Sequence, residues 1–253
     1  MLIKGFLGIN NVQLPHRLKP EALTAATNVD IGLTGNVHRR AGYSVVSATC
    51  HKNLWQADGF KLATVAGNDL QAIAADNTHT TVAESVGTSR VWYCNWPDGR
   101  TAYSNGALCG VASSSSATKW GVPIPASLGA AASVAGSLMA GEYRYALSHV
   151  RTSDGLEGGV RFSAPLALTG GLALVGLPTL AGHTTNVYLT SHDGSQLYLA
   201  GNTALSSFAF TSGNEALVVP CRTEFLSPAP AGRCLAFWRG RALVAVGSIL
   251  YAS

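Results

Sequence analysis

"FWRGRALVAVGSILYAS" (Phe237–Ser253) is the stretch whose reading decides the fold class. An aromatic run meets a tight turn at Arg239-Gly240-Arg241, a second apolar run follows, and Gly247-Ser248 leads into a third. Apolar runs this short, punctuated by Gly, read as antiparallel strands rather than helix. Two earlier stretches repeat the theme. "LWQADGFKLATVAG" places strand residues on both sides of Asp58-Gly59, a strong hairpin signal, and "NDLQAIAAD" opens on a further turn. "RVWYCNWPDGRTAYSNG" runs through an aromatic strand, a Pro97-Asp98-Gly99 turn, a strand and a Ser104-Asn105-Gly106 turn.

Hairpins recurring with an aromatic residue before the turn suggest propeller blades. The expected fold is all-β: a propeller-like array of antiparallel hairpin blades, incomplete in this chain, with a β-sandwich inserted. Composition agrees. Of 253 residues only 12% are charged and 28 are Gly, which suits short strands and tight turns and leaves little for surface helices. A weakly charged surface is also easier to bury against neighbours. The net charge of +4 is mild and does not by itself argue for nucleic-acid binding. Five cysteines (Cys50, Cys94, Cys109, Cys221, Cys234) form no CxxC pair and have no His at ligand spacing. They read as reduced, mostly buried thiols of a protein made in a cytoplasm. The N-terminal stretch lacks the long apolar core of a secretory signal. "APLALTGGLALVGLPTLAG" (Ala164–Gly182) is uncharged and of membrane-span length, but Gly170-Gly171, Gly176 and Pro178 break it into short strands.

Four segments are expected. Residues 1–47 form an extended arm and first strands, with one or two helical turns over Pro20–Ala26. A short strand at Asn28–Ile31 turns through Gly32–Gly35 into Val37–Arg40, and Tyr43–Val46 opens another. Residues 48–119 are propeller-like hairpin blades, ending in a Ser-rich, Pro-broken connection, "ASSSSATKWGVPIP". Residues 120–219 form an immunoglobulin- or fibronectin III-like sandwich, about a hundred residues with some seven strands. In it Tyr143, Tyr145, Leu147 and His149 alternate onto one face, and a hairpin turns at His192-Asp193-Gly194-Ser195. Residues 220–253 return to the propeller-like sheet.

Chemistry-bearing motifs are few. Ser116 and Lys119 match S-x-x-K, a spacing that lets Lys activate a Ser nucleophile on a helix, but in a Ser-rich run they read as linker. Asp154 and Glu157 fall short of the oxygens calcium needs and read as a solvated turn. His149 reads as a hydrogen-bonded core histidine. Trp55, Trp92, Trp96 and Trp238 have two readings: sugar-stacking platforms, or, as their recurrence favours, filling between sheets. Arg17, Lys19, His38, Arg39 and Arg40 are the candidate contacts with another subunit or partner, by carboxylates more than by phosphates. No catalytic motif is complete and no cofactor or metal pattern stands out, so an enzyme is not expected.

"FLGINN…EALTAATNVDIGLTGNVHRRAGYS", "AGEYRYALSHVRTSDGLEGG…VYLTSHDGSQLYLAG" and the closing "FWRGRALVAVGSILYAS", in this order, resemble the tail proteins of short-tailed bacteriophages. The resemblance implies a structural virion protein: part of a tail nozzle or hub tube, made in the host cytoplasm. Its partners would be copies of itself in a ring, usually a hexamer, with portal, adaptor and other tail proteins. Phage DNA would pass through the lumen without sequence recognition, and the host envelope would be met only during infection. Such proteins usually run well beyond the final motif here, so the expectation is a shorter form or a sheet edge completed by neighbours. The alternative is a host-surface module of the virion that binds glycan or mediates adhesion.

Overall fold

Strands make up 47% of the chain and helix 2% in the computed structural model, which describes residues 5–253 except 11, 41, 43, 46, 66 and 67. The protein is all-β, built from several small sheets, none closed among the described residues. It divides into two compact units, Met1–Ala48 and Thr49–Ser253.

The first unit carries β1 (Gly8–Ile9), β2 (Ala22–Leu23), β3 (Val29–Ile31) and β4 (Val37–Arg39). β1 and β2 pair in parallel, and β3 and β4 form the hairpin expected around Gly32–Gly35. The helical turns expected over Pro20–Ala26 do not form. Leu7 N–H donates to the Glu21 carbonyl and Asn10 N–H to the Leu23 carbonyl, so extended pairing takes the backbone groups a helix would need. So short a helix is marginal without such competition. A single 3₁₀ turn stands earlier, at Pro15–Arg17. Of the strand expected at Tyr43–Val46, Tyr43 and Val46 lie outside the described residues, and Ser44 and Val45 are not in a strand.

The second unit opens with two four-stranded antiparallel meanders: β5 (His51–Gln56), β6 (Lys61–Val65), β7 (Leu70–Ile73) and β8 (His79–Ala83), then β9 (Trp92–Asn95), β10 (Thr101–Ser104), β11 (Cys109–Ala112) and β12 (Ala117–Lys119). Their facing sides share one core, with Leu62, Leu70 and Ala72 from the first sheet against Tyr93, Tyr103 and Ala112 from the second. The Ser-rich stretch is not a linker. Ser113 Oγ accepts from the Ser115 and Ser116 amides, an ST-turn that folds β12 back onto β11 as a fourth strand.

Next come β13 (Ala130–Tyr143), β14 (Tyr145–Arg151), β15 (Arg161–Phe162), β16 (Leu166–Val175), β17 (His183–Thr190), β18 (Leu197–Thr203) and β19 (Ser207–Phe210). They make a three-stranded sheet, β13-β16-β19, and a four-stranded one, β15-β14-β17-β18. Both contribute to a single core: Leu168, Leu172, Leu174 and Phe210 from one, Tyr145, Leu147, Val187 and Leu189 from the other. Within the uncharged stretch β16 runs unbroken through Gly170-Gly171, where a break was expected, and ends before Gly176 and Pro178. Gly170 and Gly171 leave room for neighbouring backbone; a Cβ on Gly171 would sit 2.6 Å from the Phe210 carbonyl oxygen. No helix of the described residues is long and apolar enough to cross a membrane.

The last sheet is β20 (Arg233–Trp238), β21 (Arg241–Val246) and β22 (Ile249–Ala252). Trp238 pairs with Arg241 across a two-residue turn in which Arg239 and Gly240 both take positive φ, the twist such hairpins favour. Phe237 pairs with buried Ala242 and Leu235 with buried Val244. This sheet meets the second meander: Ser104 Oγ donates to the Gly232 carbonyl at 2.7 Å, and the Arg233 guanidinium lies 5.8 Å from the Trp92 ring.

Candidate functional site

The five candidate contact residues all lie in the first unit and all are exposed. Arg17 ends the 3₁₀ turn, Lys19 follows it, and His38 and Arg39 sit on β4. Arg40 is engaged within its own chain: its guanidinium donates to Asp30 Oδ1 at 2.8 and 3.0 Å. That ion pair raises the Arg40 pKa further above its already high value. The unit as a whole has paired backbone but no buried described residue. Leu7, Ile9, Val12, Leu14 and Leu33 are all exposed. Asn11 of "GINN", Ala41 and Tyr43 of "RRAGY" and residues 1–4 of the arm lie outside the described residues.

Ser116 and Lys119 stand in a hairpin turn and on strand β12, so the helix that S-x-x-K chemistry requires is absent. Asp154 stands in the exposed turn expected of it, whereas Glu157 does not. Asp154 is paired with buried Arg151 at 2.9 Å, whose other nitrogen donates to the Lys119 and Gly121 carbonyls. Glu157 Oε1 accepts from the Ser148 hydroxyl, from Asn186 Nδ2 at 3.0 Å and from the Tyr188 hydroxyl at 2.6 Å. Burial, and then this bond to Glu157, push the Tyr188 pKa well up. His149 is buried with Thr185 Oγ1 3.3 Å from its Nδ1. Burial first, and His183 second, hold its pKa below 6.5. All five cysteines are free thiols, but Cys50 and Cys234 are exposed, against the expectation of mostly buried ones. Burial raises the pKa of Cys94 and Cys109.

The tryptophans do not share one role. Trp55 stacks on Tyr93 (centroids 5.7 Å, planes 18° apart), donates to Asn95 Oδ1 at 2.7 Å and is still 37% exposed. Trp92 has the guanidinium of Arg90 at 5.5 Å and that of Arg233 at 5.8 Å. Trp96 packs edge-on against Trp120 at 5.6 Å. Trp238 does not fill space between sheets; it is 59% exposed, on the opposite face of its sheet from Ala242 and Val244, with Arg239 at 4.6 Å from its ring.

Between β5 and β9 lies a cleft of about 300 Å³ lined by Asn53, Leu54, Trp55, Arg90, Trp92 and their neighbours. A bulge forms it: Asn53 and Leu54 drop out of register with β6, and Asn53 takes φ 52°. The Asn53 side chain then bonds Thr64 Oγ1, the Ser89 carbonyl and the Val91 amide, fixing the approach to β9. Sequence reading missed this site because Arg90 and Trp55 are distant in the chain; an arginine two residues before a tryptophan was its only local signal. Compared with protein families and with curated proteins, the chain matches none.

Proposed function

We propose that the protein is a structural component of a short-tailed phage tail, part of an oligomeric nozzle or hub tube through which DNA leaves the particle. The observation that carries this reading is the first unit. It has fixed strand pairing yet buries none of its described residues, and it leaves large apolar side chains such as Leu7, Val12 and Leu33 in water. Apolar surface held in water forgoes about 25 cal/mol per Å² of stabilisation, which a neighbouring subunit recovers. Wrapping a partner would bury these side chains. Arg17, Lys19, His38 and Arg39 then steer register more than affinity. In this reading the sheets of 48–119 and 220–253 are propeller-like blades, the sheets of 120–219 are the inserted sandwich, and the tail motifs of the sequence supply the kind of assembly.

Electron microscopy of the purified protein tests the reading. Rings with a central pore are expected, and deletion of residues 2–20 leaves a soluble body of normal strand content that forms none. Monomers at all concentrations, or rings unaffected by the deletion, overturn it.

A further inference from the structure

We propose that the cleft between β5 and β9 binds an acidic saccharide, with the pyranose ring against Trp55 and its carboxylate or sulfate on Arg90. This goes beyond the assembly reading and stands on the cleft alone.

Size and lining point to a sugar. At about 300 Å³ the cleft lies at the small end of ligand pockets. Tyr93 stacks on one face of the Trp55 indole, yet the residue stays 37% exposed. Stacking on Tyr93 and the bond to Asn95 hold that indole in place before any ligand arrives, so binding orders little further. An indole held this way presents an apolar platform of the kind the C–H face of a pyranose covers. The bulge leaves the Asn53 and Leu54 backbone out of the ladder and beside the cleft, where sugar hydroxyls need donors and acceptors.

Charge selects among sugars. Arg90 is exposed, and no carboxylate pairs with it among the described residues. It is held instead over the Trp92 ring, which the Arg233 guanidinium also approaches. Arg90, the one guanidinium lining the cleft and without a counter-charge among the described residues, leaves a donor fork that suits a carboxylate or a sulfate. A neutral sugar would leave it unused.

The test uses the full chain, titrated with digalacturonate, galactose 6-sulfate and neutral galactobiose, with ligand-observed NMR and tryptophan fluorescence as readouts. At least one acidic probe should bind with Kd below about 1 mM, and galactobiose at least about tenfold more weakly. Digalacturonate binding alone assigns a uronate site and galactose 6-sulfate binding alone a sulfate site. Arg90→Gln, a surface change that leaves the fold intact, should weaken the acidic probe about tenfold and leave galactobiose unchanged. Trp55→Leu should weaken both, while Trp238→Ala, outside the cleft, should change neither. If neither acidic probe binds at about 1 mM, if Arg90→Gln binds as the parent does, or if oligothymidylate outcompetes both sugars, the cleft is not an acidic-saccharide site.

Discussion

The paired sheets of residues 130–210 and the stacked sheets of 51–119 and 233–252 satisfy their apolar faces in different ways. The paired sheets close on each other. Leu138, Leu168, Leu172 and Leu174 on one side meet Leu147, Val187 and Leu189 on the other. The stacked sheets hand the problem along. The first meander covers one face of the second, and the last sheet meets the second through Ser104, Trp92 and Arg233. The far face of the last sheet then shows Trp238, Leu243, Leu250 and small alanines, with Leu250 63% exposed. A pair of sheets finishes its core within itself; a stack always presents one more face.

Substitution in the paired core should bring the largest effect. Leu172 is fully buried, and Leu172→Ala should cost about 3 kcal/mol through lost transfer energy and a residual cavity. Urea unfolding of the full chain, followed by tyrosine and tryptophan fluorescence, measures it. A cost no greater than that of the same change at Leu250 would erase the distinction between the two regions.

A smaller effect attaches to the polar cover outside the pair. Glu157 accepts from Ser148, Asn186 and Tyr188, so Glu157→Ala strands three donors on a partly buried face and should cost about 2 kcal/mol. Glu157→Gln keeps a carbonyl acceptor and should cost less. Equal losses in the two variants would show that the carboxylate's hydrogen bonds do not matter there.

Much of this contrast was legible in the sequence, because hairpins are local. Gly59, Gly99, Gly240 and Gly247 all take the positive φ their turns require, and each stood between apolar runs. Tyr145 and Leu147 fell on one buried face of β14 as alternation predicts, whereas Tyr143, expected on that face, ends β13 and enters the same core from the other sheet. What escaped was either unusual punctuation or long range. Ser113–Ser116 makes its turn by side-chain hydrogen bonds, so a run of serines looked like linker. Gly170-Gly171 looked like a break, although there the missing Cβ admits the backbone of a neighbouring strand. Glu157 finds Tyr188 across 31 residues, and no local pattern joins Trp55 to Arg90.

Acid should weaken the paired region before it affects the stack. His149 is buried there with its pKa below the ordinary 6.5, by burial and then by the neighbouring His183. Between its folded value and 6.5 the unfolded chain binds a proton that the folded one resists. Stability therefore falls as pH drops through that window and is flat above it. His149→Gln should flatten the slope below about pH 6.5 in urea midpoints measured as the pH is lowered. An unchanged slope would place the acid sensitivity elsewhere.

The smallest effect on stability should come from the open face of the stack, and there the informative quantity is association. Leu250 pairs with Ala245 on the side away from Ala242 and Val244, beside Leu243 and Trp238. Because Leu250 is already mostly in water, Leu250→Ser should move the unfolding midpoint by no more than about 0.5 kcal/mol equivalent. The same face, if it receives another sheet on assembly, buries Leu250 only then. Leu250→Ser should therefore leave the monomer folded and shift the protein from the proposed rings toward monomers in sedimentation velocity. Leu243→Ser, on the same face but half-buried, should do so at a visible cost in stability. Rings that persist in Leu250→Ser would mean that this face stays in water in the proposed assembly, leaving the first unit as the proposed surface between subunits.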